Sequence, residues 1–140
     1  MEVESLMEKL KDFFNNNDRF AALAGIELLE IKEGTALAKM EVRDIHFNAG
    51  NIVQGGVLFS LADITFAAAV SSFGKLIVSV ETSIRFFKST SQGTLYAEAS
   101  IIDLHRTIAT CEVRITDQET NLIALFTATA YRKDIPLPVD

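Results

Sequence analysis

An α+β fold, with an antiparallel sheet of five to six strands wrapped around one long central helix and preceded by an N-terminal helix, is the architecture this sequence predicts. Three observations carry it. Residues 55–72 are an apolar stretch of helical length, and between Val57 and Gly74 only Asp63 is charged at neutral pH. The segments on either side alternate apolar and polar residues, as half-buried strands do. The connections between those segments are short enough for antiparallel neighbours.

The elements follow in order. Val3, Leu6, Met7, Leu10 and Phe13/Phe14 recur at helical spacing over residues 2–14. "NNND" at 15–18 is expected to end that helix, because Asn and Asp compete for its backbone. "RFAALAGIELL" reads as a short helical turn entering a strand after Gly25. Ile26 to Val42 form a hairpin turning at Glu33-Gly34, in which Ala36, Ala38, Met40 and Val42 alternate with wetter positions. A long connection over 44–54 leads into helix 55–72. "KLIVSVETSIRFFKS", "GTLYAEASIIDL", "TIATCEVRITD" and "NLIALFTATAYRK" supply three or four further strands, the first of them alternating Leu76, Val78, Val80, Thr82, Ile84 and Phe86 against Ser79, Glu81, Ser83 and Arg85. The tail "DIPLPVD", with its two prolines, is expected to leave the sheet. One curved sheet covers one side of an apolar helix, so a second copy of the chain is expected to cover the rest.

The 140 residues suit one domain, 1–140, with a real core. A net charge of −6 without a Lys/Arg run argues against nucleic acid as a partner. The acidic start lacks the apolar segment of a signal peptide, and no stretch is apolar for the length of a bilayer span, so a cytoplasmic protein away from the membrane is expected. The lone Cys111 sits mid-strand and reads as core, and no Cys/His cluster offers a metal site.

The most informative segment is "HFNAGNIVQGGVLFSLAD", His46 to Asp63. Together with the order of elements along essentially the whole chain, it resembles the hot-dog fold and, within it, the PaaI-type acyl-CoA thioesterases (4-hydroxybenzoyl-CoA thioesterase type). That pattern has an Asn, a Gly seven residues on that opens the helix, and an acidic residue eight beyond; Asn48, Gly55 and Asp63 match it. A His commonly precedes the Gly pair, whereas this chain has Gln54, whose amide donates a hydrogen bond but transfers no proton. The resemblance implies hydrolysis of an acyl-CoA thioester without a cofactor, Asp63 as the catalytic carboxylate, Gly55 as the oxyanion donor, Asn48 holding the reacting groups or water, and Ser79 assisting.

The chemistry suits those residue types. A carboxylate activates water as general base or attacks as nucleophile. Unpaired N–H groups at a helix start, reinforced by the helix dipole, stabilise a developing oxyanion, and Gly55 and Gly56 admit the substrate to that backbone. Phe47, Phe59, Phe66, Phe73, Phe86 and Phe87 are first of all core, with Phe59 and Phe66 on the Asp63 face as candidates for lining an aryl or medium-chain acyl pocket. Arg85, Lys88 and Arg106 are the candidate cations for CoA phosphates. His46 is expected to orient its loop and His105 to sit in a strand connection.

Eight helical residues separate Gly55 from Asp63, about 12 Å of rise, too far for one carbonyl to touch both. A two-fold axis between antiparallel helices would bring Asp63 of one copy to Gly55 of the other, so a dimer, or a dimer of dimers, with composite sites is expected. The absence of a His from helix 55–72 and from the Gln54-Gly55-Gly56 turn sets aside a hydratase. A non-catalytic acyl-CoA-binding module is the alternative; Gln54 favours it, and a carboxylate beside an anionic ligand speaks against it.

Overall fold

A computed structural model describes residues 3–139. Helix α1 spans Val3–Asn17 and α2 Arg19–Ala24; strands β1 (Ile26–Lys32) and β2 (Thr35–Glu41) form the hairpin; a 3-10 turn, Asp44–His46, precedes helix α3 (Gly55–Ser71); and β3 (Lys75–Phe86), β4 (Thr94–Leu104), β5 (Ile108–Thr116) and β6 (Leu122–Pro136) complete the sheet. All six strands belong to one antiparallel sheet in the order β1-β2-β4-β5-β6-β3. The chain therefore crosses from the β3 edge to the middle of the sheet between β3 and β4, and β3 pairs with β6 rather than with its sequence neighbour.

The inner face of the sheet explains how a helix can lie against so many strands. Ala38 faces Ala97 across β2 and β4, Ala36 faces Ala99, Ala109 faces Ala130 across β5 and β6, and Cys111 faces Ala128. These residues are buried, and their small side chains make a shallow floor on which α3 lies close to the backbone. The helix sends Leu58, Leu61, Phe66 and Val70 into that space. Phe126 of β6 anchors it, with Phe59 edge-on at 5.4 Å between ring centroids and Phe66 at 5.9 Å. Cys111 is fully buried, as its place mid-strand predicts, and burial pushes its thiol pKa up to about 12, so it behaves as an inert apolar side chain.

Local hydrogen bonds fix the ends of the elements. Asp18 caps α2 by accepting from the Ala21 N–H at 3.0 Å, and Gly25 ends it in the left-handed conformation at φ 78°. The hairpin turns at Glu33-Gly34, with Gly34 at φ 85°. The Gly34 N–H donates to Ser72 Oγ at 2.8 Å, while that hydroxyl donates to Ala69 O, tying the hairpin to the far end of α3.

Four expectations need correction. Helix α1 continues through the Asn run to Asn17, because Asn15 is satisfied from outside: it donates to Leu28 O at 3.0 Å and accepts from Leu28 N at 2.9 Å. The tail leaves the sheet only after Pro136, which pairs with Lys75; β5 has already ended its pairing with β6 at Tyr131, so the missing proline N–H costs that side nothing. The simple alternation of β3 fails because an irregularity between Ser79 and Glu81 shifts its phase: Ile77 before it and Thr82 and Ile84 after it turn inward, while Val78 and Val80 are exposed. Phe86 at the end of β3 and Phe87 beyond it are expected in the core but are exposed, so neither belongs to it.

Replacing Ser72 by Ala orphans the buried Gly34 N–H. The expected cost is about 1–3 kcal/mol, seen as a lower denaturant midpoint at unchanged slope.

Candidate active site

Asp63 lies in the middle of α3, half-buried, beside a cavity of about 140 Å³ that it shares with Ser60 and Ile64 of α3 and with Asp18, Phe20 and Ala21 of the α1–α2 junction. The helix places Ser60 and Asp63 one turn apart on the same face. Burial, and secondarily the charge of Asp18, holds the Asp63 carboxyl above its ordinary value. A carboxylate in this position is a proton acceptor closer to neutral pH than a surface aspartate.

The start of α3 supplies the second chemical feature. The N-cap residue Gln54 makes no side-chain capping bond, and its carbonyl receives Val57 N–H at 3.0 Å and Leu58 N–H at 3.3 Å. Donors at Gly55 and Gly56 are therefore left to whatever approaches the helix end. Gly56 is exposed, and a Cβ placed on it would stand 2.9 Å from Gln54 Oε1, so the Gln54 amide folds over this glycine. A Cβ on Gly55 would stand 3.0 Å from the Phe86 ring, so Phe86 of β3 roofs Gly55.

The loop before α3 is rigidly built. Asn48 Oδ1 accepts from Gly50 N–H at 2.8 Å and Ile52 N–H at 3.3 Å, and Phe47 bridges to Val53. Buried His46 accepts from Arg43 N–H through Nδ1 at 2.9 Å and donates through Nε2 to Ala24 O at 2.6 Å, which orients the loop as its sequence position suggests. His105 lies between β4 and β5, paired with Asp103 at 2.8 Å.

The remaining site candidates are spread over the protomer. Ser79 is exposed on edge strand β3, opposite Ala130 and outside the Asp63 cavity. Phe66 is buried against Phe126, and Phe59 packs on the same ring, so within one protomer the aromatic beside Asp63 is Phe20. Lys88 lines a polar cavity of about 430 Å³ with Ser89, Thr90 and Gln92, but also with Asp117 and Glu119. Thr90 O accepts from Val53 N–H at 2.9 Å, which ties this loop to the approach to α3. Arg85 is exposed on β3, and Arg106 sits in the β4–β5 turn, where its carbonyl faces Lys75 just beyond the opposite end of α3. Sequence reasoning missed Asp18, Phe20 and the position of Phe86; Asp18 reads locally as a helix stop, and nothing in the pattern reveals that it faces Asp63.

A sheet wrapped around a helix that opens on a Gly pair and carries one carboxylate eight residues on defines a hot-dog protein with a hydrolase-like site. The chain belongs to the thioesterase superfamily, whose family model matches residues 50–124, and it is an enzyme of that class. It is 39% identical over 134 residues to an Archaeoglobus fulgidus protein that carries an esterase name, covering 95% of this chain and 87% of that one. It is 32% identical over 117 residues to the acyl-coenzyme A thioesterase PaaI of Escherichia coli, covering 83% and 84%. The structure of the E. coli PaaI protein from the phenylacetic acid degradation operon superposes with a TM-score of 0.88 at 29% identity, covering 94% of this chain and 98% of that one.

Because the folded-state pKa of Asp63 is raised, ionising it costs the fold stability as pH rises above the unfolded value of about 3.9. Below that value both states are protonated and the cost vanishes. Asp63→Asn is therefore expected to be more stable than the natural chain at pH 7 and to lose that advantage in acid, which denaturation at several pH values reads directly.

Proposed function

We propose that this protein hydrolyses acyl-CoA thioesters to free acid and CoA, with Asp63 as the catalytic carboxylate and the start of α3 as the oxyanion site. The observation that carries the reading is the desolvated Asp63 on a helix that is otherwise apolar, sharing its cavity with Asp18 and Ser60. The cavity has room for a water and polar groups to hold it, which favours general-base catalysis over direct attack. Asp63 takes a proton from that water as its oxygen attacks the thioester carbon. The carbonyl oxygen becomes an oxyanion facing Gly55 and Gly56 N–H, with Asn48 and Gln54 beside the entrance. The C–S bond then breaks, and the CoA thiolate leaves with the proton returned from Asp63. No cofactor is required by this sequence of steps.

The site is completed by a second copy of the chain. Helix α3 runs unbroken from Gly55 to Ser71, which keeps Gly55 about 12 Å along the axis from Asp63. Strand β3 lies at the sheet edge with Val78, Val80 and Phe86 exposed and Phe87 exposed just beyond it, a surface that another β3 would cover. A two-fold axis there sets the helices antiparallel, with Asp63 of one copy beside Gly55 of the other, and dimers of dimers are compatible with it. Ser79, on that same strand, then belongs to the interface side of the site. Lys88, tied to the α3 entrance, is the cation best placed for CoA phosphates; Arg85 and Arg106 serve only from other parts of the assembly. Among the described residues no helix is long and apolar enough to cross a membrane.

Thiol release from acetyl-, octanoyl- and phenylacetyl-CoA tests the reaction. Asp63→Asn should lower kcat by about 10²–10⁴-fold while a CoA thioether still binds; equal turnover by both proteins would overturn the role of Asp63. No turnover by the natural chain, with tight thioether binding, would favour the acyl-CoA-binding alternative. The pH profile gives an independent check. Asp18→Asn removes the neighbouring charge that raises the Asp63 pKa, so the acid limb of kcat/KM should move to lower pH, and a limb that stays in place would remove Asp18 from the site.

A further inference from the structure

Beside the Asp63 cavity lies a second one, of about 240 Å³, lined by Phe20, Leu23, Ala24, Ile45, His46 and Val57. Phe20 is a wall of both. Along α3 the two are neighbours: Val57 lines the second cavity, and Ser60 and Asp63, one and two turns on, line the first. Three of the lining side chains are far more exposed than apolar residues of their size usually are, Phe20 at 60%, Leu23 at 70% and Ile45 at 63%. Exposed apolar side chains that converge on one groove mark a place where something apolar binds.

The chemistry of the groove narrows the occupant. Its one polar side chain, His46, is spent on both ring nitrogens, Nδ1 with Arg43 N–H and Nε2 with Ala24 O. A ligand that needed hydrogen bonds would find none offered by the lining side chains, whereas a hydrocarbon needs none. The volume is ample for an aryl ring or a medium alkyl chain, since a dry cavity of ~150 Å³ already takes benzene. A two-carbon acyl group reacting at Asp63 would not extend past Phe20.

We propose that this groove is the acyl subsite: the thioester carbonyl sits at Asp63, and the acyl group passes along Phe20 to lie against Leu23, Ile45 and Val57, which selects medium-chain and aryl acyl groups over acetyl. The proposal rests on Asp63 marking the hydrolytic centre. Its residues come from α2, the 3-10 turn and the start of α3, and they are separate from Phe59 and Phe66, which pack on Phe126.

The test is chain-length preference. In the natural protein kcat/KM should rise from acetyl- to octanoyl- and phenylacetyl-CoA. Ile45→Trp, which fills the groove, should lower the octanoyl-to-acetyl ratio tenfold or more, and Leu23→Glu, which puts a charge into it, should do the same. Ile102→Trp, at an exposed position on β4, should leave the ratio within twofold of the natural chain. An unchanged ratio in both groove variants, or an equal loss on every acyl-CoA, would overturn the subsite. Calorimetry with S-octyl-CoA and S-ethyl-CoA separates this from the hydrolytic reading. If the natural chain hydrolyses nothing yet prefers the octyl thioether, and Ile45→Trp abolishes that preference, the subsite stands and hydrolysis falls. Equal affinity for the two thioethers would overturn the subsite whether or not the protein is active.

Discussion

A 17-residue helix that is apolar on nearly every side must be kept from water, and the rest of the molecule is arranged to do so. The sheet provides the cover. Its inner face is built from alanines in register, so that larger residues come from the helix and the strands can curve closely around it. Phe126 fixes the seat, and the hairpin and the α1–α2 pair close the flanks, with Ser72 and His46 as the polar ties. The cover remains incomplete along Gly56, Ser60 and Asp63 and at the β3 edge. Chemistry is possible only where the cover is incomplete.

Asp63 works against the burial that surrounds it. The desolvation that makes it costly to ionise is the same effect that makes it a better base near neutral pH, and Asp18 pushes in the same direction. The second carboxylate is held independently of any ligand, because it caps α2 through the Ala21 N–H. A local structural duty thus fixes a charge beside that of Asp63. Phe20, two residues on, then walls both the acid cavity and the apolar groove. On the proposed reading the short α2 segment bears on both the proton chemistry and the choice of acyl group, while its own fold asks only for a cap and a terminal glycine.

How far the sequence reveals this depends on whether a feature is local. Helix α3, the Glu33-Gly34 turn, the alternation of β2 and β5, and the Asn48–Gly55–Asp63 spacing are all periodic or short-range, and each was legible. The β3–β6 pairing is not local, and the phase shift near Ser79, which leaves Val78 and Val80 exposed, leaves no mark on the pattern. Asn15 remains helical because Leu28, thirteen residues away, satisfies its amide. The strand persists to Pro136 because the neighbouring strand has already ended. In the site, the residues on α3 were visible because the helix carries them in one motif. Those brought from α2 and β3, namely Asp18, Phe20 and Phe86, became visible only with the tertiary structure.

The central claim is that one site needs Gly55 from one copy and Asp63 from another, and it is tested most directly by mixing two inactive chains. Asp63→Asn lacks the carboxylate, and Gly55→Val blocks approach to the helix start, where even a Cβ would press on Phe86. Random re-association of equal amounts would make half of the dimers mixed, each with one intact site. A composite site predicts recovery of about a quarter of the natural activity. Activity that stays at the sum of the two parents, in a mixture shown to contain mixed dimers, would contradict it and place the whole reaction within one chain.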